Sequence, residues 1–89
     1  MLTSVNKVLN EQVAATSVKF EGNNLFVSLS DGREVSLPID KIDWLMWLAK
    51  ATPDQRANWA IEPRGYAIYW EELDDGVEVS HILAMEPLT

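Results

Sequence analysis

Two turn signals, eight residues apart, limit this chain more than anything else in it. Gly22-Asn23-Asn24 and Asp31-Gly32 are residues that tolerate positive φ, as tight hairpin connections require. Between and around them the apolar residues alternate. Val18 and Phe20 flank Lys19; Leu25, Val27 and Leu29 alternate with Phe26, Ser28 and Ser30; Val35 and Leu37 alternate with Glu34 and Ser36. A period of two places one side-chain set on a single face. The pattern predicts a three-stranded antiparallel meander with one apolar face, its second turn a two-residue connection at Asp31-Gly32. Pro38, which lacks a backbone donor, ends the third strand.

The next segment changes period. Asp40 is a good helix N-cap, and a helix is expected through Asp43-Trp44-Leu45-Met46-Trp47-Leu48-Ala49-Lys50. It would carry two apolar stripes. Ile42, Leu45, Met46 and Ala49 form one; Trp44, Trp47, Leu48 and Ala51 form the other. Thr52-Pro53-Asp54-Gln55 marks a fresh start, with Thr52 as cap, Pro53 at the first helical position and Gln55 closing a capping box. Trp59-Ala60-Ile61 and Tyr66-Ala67-Ile68-Tyr69-Trp70 read as paired strands turned at Pro63-Arg64-Gly65. Glu71-Glu72-Leu73-Asp74-Asp75-Gly76 reads as an acidic loop. Asp75 with Glu78 resembles a capping start, and Val79, Ile82 and Leu83 share a helical face, so a short C-terminal helix follows. At the other end, Val5, Val8, Leu9 and Val13 fit one face of a helix, with a short strand the alternative. The expected class is α+β, one domain over residues 1–89.

Composition then removes whole classes of function. There is no Cys, hence no disulfide, thiolate nucleophile or thiolate metal ligand. That usage suits a reducing cytoplasm. No apolar run reaches the length of a membrane span, and no basic residues frame an apolar face for a membrane surface. The formal charge of -7 is uneven: residues 1–60 hold seven acids and six bases, whereas residues 61–89 hold seven acids and only Arg64. Direct nucleic-acid binding is disfavoured, because a phosphate backbone and this acidic third repel. A basic protein partner fits better.

Catalytic and metal readings fare poorly. Glu71, Glu72, Asp74, Asp75 and Glu78 crowd together, but Leu73 interrupts the alternate ligand positions a calcium loop needs. Their bland reading is a solvated acidic surface. His81 is the only His, so zinc coordination lacks partners. Ser80, His81 and Asp75 lie too close along the chain to converge as a triad. Paired carboxylates for hydrolysis would need a cleft that 89 residues leave little room for. The expectation is a chain that is not an enzyme and carries no cofactor or metal.

Three separated runs resemble domain of unknown function 2442. They are Leu29 to Pro38 (LSDGREVSLP), Ala51 to Trp59 (ATPDQRANW) and Gly65 to Val77 (GYAIYWEELDDGV), and the likeness covers roughly residues 14 to 85. The resemblance implies a small α+β fold from a bacterial or phage source. It also implies an antitoxin-like or regulatory role, since many such domains occur beside a second small family in an arrangement that resembles a toxin–antitoxin pair. The chain departs from the family pattern at Ile42 to Lys50, which is longer and more apolar, and at Gly76, where an acid is usual.

The expected function is therefore a protein-binding module. Trp44, Trp47 and Leu48 would be its apolar anchor. Glu71, Glu72, Asp74, Asp75 and Glu78 would steer a basic, toxin-like partner by charge. The bland alternative puts both faces of the Trp44–Trp47 segment in the core. Trp59 and Trp70 are expected to pack internally, Gly65 to be a simple turn residue, and Arg56 to pair with Asp54 or another carboxylate. Two other functions stay open: an acidic phage-type inhibitor that imitates nucleic acid and blocks a host nuclease, and a structural homodimer.

Overall fold

A computed structural model describes residues 12–85. The helical expectation for Val5, Val8 and Leu9 lies outside the described residues, while Val13 is irregular and packs on the core. The fold is α+β, as expected. Strands β1 (Ala15–Glu21), β2 (Asn24–Leu29) and β3 (Glu34–Pro38) form an antiparallel meander in the order β1-β2-β3. Its register pairs Leu25 with Leu37 and Val27 with Val35, so the alternating residues of both strands share the inner face. In β1 the alternation is broken. A bulge between Ala15 and Ser17 lets Ala15 and Val18 both point inward, two residues intervening instead of one.

The β2–β3 connection is longer than the Asp31-Gly32 signal alone predicts. The Leu29 amide donates to the Arg33 carbonyl (2.8 Å), leaving Ser30-Asp31-Gly32 as a three-residue loop with Gly32 at φ 94°. This is a turn closed by a left-handed glycine. The Asp31 carboxylate accepts the Arg33 amide at 3.1 Å and its guanidinium Nε at 2.9 Å. The amide bond is the main reason its pKa falls below the ordinary aspartate value.

The long central helix does not form. Asp40 sits in a turn in which the Lys41 amide donates to Pro38, and it caps nothing. A 3-10 turn (Asp43–Leu45) leads instead into a single α turn, α1 (Met46–Ala49). Leu45 and Leu48, three residues apart, are both fully buried, a spacing that a tight 3-10 turn aligns well. Helix α2 (Pro53–Ala57) starts where expected. Gln55 N donates to Thr52 Oγ1 (3.1 Å) and Thr52 N to Gln55 Oε1 (2.9 Å), a complete capping box.

The second sheet has three strands, not two: β4 (Ala60–Ile61), β5 (Ala67–Trp70) and β6 (Asp75–Glu78). The acidic run is therefore not one loop. It is a 3-10 turn at Glu71–Leu73, a left-handed Asp74 (φ 53°), and a strand. Gly76 lies across from Tyr69, and a Cβ there would stand 2.7 Å from the Ile68 carbonyl oxygen. Glycine at this position is what lets β6 approach. Helix α3 (Val79–Met85) follows directly, burying Val79 and Ile82.

Residues from every part meet in one core. Val18, Leu25, Val27, Val35, Leu37 and Ile39 pack with Leu45 and Leu48, and with Ile68, Trp70, Val77 and Ile82. Each such side chain contributes about 1.5–3 kcal/mol on full burial. Gly65 joins the sheets: the Ala15 amide donates to its carbonyl (2.7 Å), and its absent Cβ would meet Ala14 Cβ at 2.7 Å. With φ at 81°, Gly65 is a close-approach residue as well as a turn residue.

Candidate functional site

Four indoles dominate this small chain, and three are committed to holding it together. Trp70 is fully buried in β5 and donates its ring N–H to the Arg56 carbonyl at 2.9 Å. Trp47 meets Trp70 edge to face, centroids 5.7 Å apart and planes at 73°, and donates to the Trp44 carbonyl at 2.8 Å. Trp44 stacks on His81 of α3 with centroids 4.0 Å apart, and its N–H points at Met85 Sδ, 3.0 Å away. The expected anchor face of Trp44, Trp47 and Leu48 is thus turned into the molecule. Leu48 is fully buried and unavailable to a partner, while the two rings are half-buried beneath α3 and against Trp70. The cause is the broken helix: a 3-10 turn and one α turn direct both stripes at neighbouring elements.

Arg56 explains why the run around it has its particular residues. Among the described residues its guanidinium meets no carboxylate, contrary to expectation. It donates to the carbonyls of Leu48 (3.2 Å), Ala49 (2.8 Å) and Gly22 (3.2 Å), and to Asn23 Oδ1 (3.1 Å). Its charge sits 5.8 Å from the Phe20 ring centroid. One side chain therefore binds the end of α1 to the β1–β2 turn. A lysine, with its compact ammonium, could not reach these acceptors with the same fork.

Trp59 differs from the other three. It is half-buried, immediately before β4, and its indole N–H has no acceptor among the described residues. Depressions open on both sides of it, with Trp59 and Ala57 in the wall of each. One, of about 580 Å³, is lined by Phe20, Pro53 and Lys19. The other, of about 520 Å³, is lined by Tyr69, Glu71 and Glu72. Both are of a size that takes small-ligand or side-chain groups, about 300–1,000 Å³. Tyr69 is among the most exposed large apolar side chains, at 40%. Its hydroxyl donates to Asp74 Oδ1 at 2.9 Å, which fixes the ring. That bond, with desolvation and the nearby charges of Asp74, Glu71 and Asp75, raises the Tyr69 pKa above the ordinary tyrosine value.

The five carboxylates expected to act as one patch are divided. Glu71 and Glu72 face the Trp59 cleft, and Glu72 also accepts from Gln55 Nε2 at 3.3 Å. Asp74 holds Tyr69, and Asp75 Oδ1 accepts the Gly76 amide at 2.8 Å. Glu78 lies elsewhere, beside Arg64 and Tyr66 in a third depression. Among the described residues, no three His, Asp or Glu side chains are grouped to hold a metal ion. No described helix is long and apolar enough to cross a membrane. Trp59 packs on the core as expected, but the ring is only half covered, which sequence reading missed because it counted the residue into the strand. It stands one position outside it, where the chain leaves α2 and the inward–outward rule does not yet apply.

Solved structures resemble this fold. A crystal structure of a protein of unknown function from Rhodospirillum rubrum aligns with a TM-score of 0.69 at 22% identity, covering 83% of this chain and 88% of that one. The solution NMR structure of an uncharacterised protein from Chromobacterium violaceum gives a TM-score of 0.69 at 22% identity, covering 93% and 75% respectively. At that identity the likeness speaks for the fold alone. No curated protein matches the sequence. The family model described as "Protein of unknown function (DUF2442)" matches residues 15–87, which takes in both sheets, the Arg56 clamp and the Trp59 cleft: the chain belongs to that family.

Proposed function

We propose that this protein is a non-catalytic protein-binding module that grips a segment of a partner in the Trp59 cleft. The observation that carries the reading is Trp59 itself: a large ring, half in contact with the core, that lines two depressions and whose indole donor has no acceptor among the described residues. Rings held this way, rigid and partly exposed, are what binding hot spots are built from. The exposed carboxylates of the Glu71–Asp75 stretch lie beside the cleft and favour a basic partner by steering its approach. The role is antitoxin-like or regulatory, in which occupying the partner's surface is the whole of the action.

The test is a partner captured from the native host, then titrated by calorimetry against the wild type and two variants. Trp59→Ala is expected to weaken affinity by about tenfold or more, as loss of a central aromatic anchor does. Trp44→Phe is expected to leave affinity within about twofold, since that ring faces α3. A partner that binds Trp59→Ala as tightly as the wild type sinks the reading.

A further inference from the structure

The two sides of the Trp59 cleft are chemically unlike. The Phe20 side is apolar with Lys19 at its margin, and the Arg56 fork there is occupied by carbonyls. The other side combines two aromatic residues, Trp59 and Tyr69, with two carboxylates, Glu71 and Glu72. Among the described residues neither of these carboxylates meets a cation; the described ion pairs are Lys19–Glu21 and Arg33–Asp31. Aromatic faces attract cations through their quadrupole, and carboxylates complete the charge. Anions are repelled by the same groups, and a purely apolar guest would strip water from Glu71 and Glu72 without compensation.

We infer that the depression between Trp59 and Tyr69 is a seat for one cationic side chain of a partner protein, an arginine by preference and a lysine more weakly. This deepens the protein-binding reading and rests on it for the source of the cation. The guanidinium is the better guest because its plane can lie against an aromatic face while its edge donates two parallel bonds to a carboxylate. Asp74 serves the seat indirectly. It holds the Tyr69 hydroxyl, so the ring is already oriented before a guest arrives. The raised Tyr69 pKa is in keeping with this: the Asp74 hydrogen bond is its largest cause, and the charges of Asp74, Glu71 and Asp75 add to it.

The experiment needs no partner. A blocked pentapeptide, acetyl-Ala-Ala-Arg-Ala-Ala-amide, is titrated into ¹⁵N-labelled protein, with a second peptide in which neutral, isosteric citrulline replaces arginine. The expected result is a saturable shift of the Trp59 indole N–H and the Tyr69 amide with the arginine peptide, with the citrulline peptide at least about fivefold weaker. Glu71→Gln with Glu72→Gln, both on the surface and so neutral for folding, is expected to weaken the arginine peptide by about three- to tenfold. Equal shifts from both peptides overturn the inference. So does an arginine response at Asp74 and Asp75 that leaves Trp59 unmoved, or no response at all. If those failures occur while a captured partner still depends on Trp59, the protein-binding reading stands and the cationic seat does not. Saturable arginine binding at Trp59 with no partner captured supports the seat and leaves the wider reading without its protein.

Discussion

The Trp44–Trp47 segment and the Trp59 corner hold the same kind of side chain and use it in opposite ways. In the first, each indole donor has an acceptor and each ring has a neighbour: Trp44 with His81 and Met85, and Trp47 with Trp70. In the second, the ring lines two depressions and its donor is unspent among the described residues. An aromatic-rich segment in a small protein is thus a poor sign of an interface by itself. Below about 100 residues, a core draws on its largest rings to reach stability at all. The ring left over from that duty is the better candidate for binding.

Substitutions can break this contrast, and the interior group should show the largest effects. Trp70→Ala removes a fully buried ring and orphans the Arg56 carbonyl; unfolding in urea is expected to show a loss of about 3–5 kcal/mol. Arg56→Met keeps the stem but strands the Ala49 carbonyl, while the Leu48 carbonyl keeps the Ala51 amide, for a loss of about 1–3 kcal/mol. Trp59→Ala is expected to cost only about 1 kcal/mol, because the ring is half in water already. A Trp59→Ala loss as large as that of Trp70→Ala would make Trp59 a core residue and erase the difference between the two regions.

The parts that sequence reading recovered are those whose pattern is local. The meander was legible because Leu25, Val27, Leu29, Val35 and Leu37 all obey a period of two on either side of the Asp31-Gly32 turn signal. The Thr52–Gln55 capping box was legible because its partners are three residues apart. Strand β6 was not, since Asp75-Gly76-Val77-Glu78 holds a single buried apolar residue, and what makes it a strand is the β5 edge it joins. The bonds of Arg56 were hidden for a related reason. Its acceptors are backbone carbonyls as far away as Gly22, and carbonyls carry no mark in a sequence. The site was half legible: Glu71 and Glu72 do face the cleft, but nothing local says that Trp59 stands beside them while Glu78 does not.

The smallest effect is also the most specific probe of the cleft. The Tyr69 hydroxyl donates to Asp74, and a proton held in that bond is harder to remove. The folded pKa lies above the unfolded value of about 10, so the contribution to stability is complete below pH of about 10 and is lost as pH climbs through the raised folded value. Ultraviolet titration of phenolate formation should therefore show Tyr69, assigned by its loss in Tyr69→Phe, ionising later than a free tyrosine. Asp74→Asn retains a side chain that tolerates the left-handed backbone and can still accept the bond, but removes the charge. It should lower the Tyr69 titration only partway toward its ordinary range, because the bond that chiefly raises it can persist, while leaving the urea midpoint nearly unchanged. A Tyr69 that titrates at the ordinary value in the wild type would mean the ring is not held by Asp74. The Trp59 cleft would then lose its one preorganised wall, and with it the contrast to the locked rings of the interior.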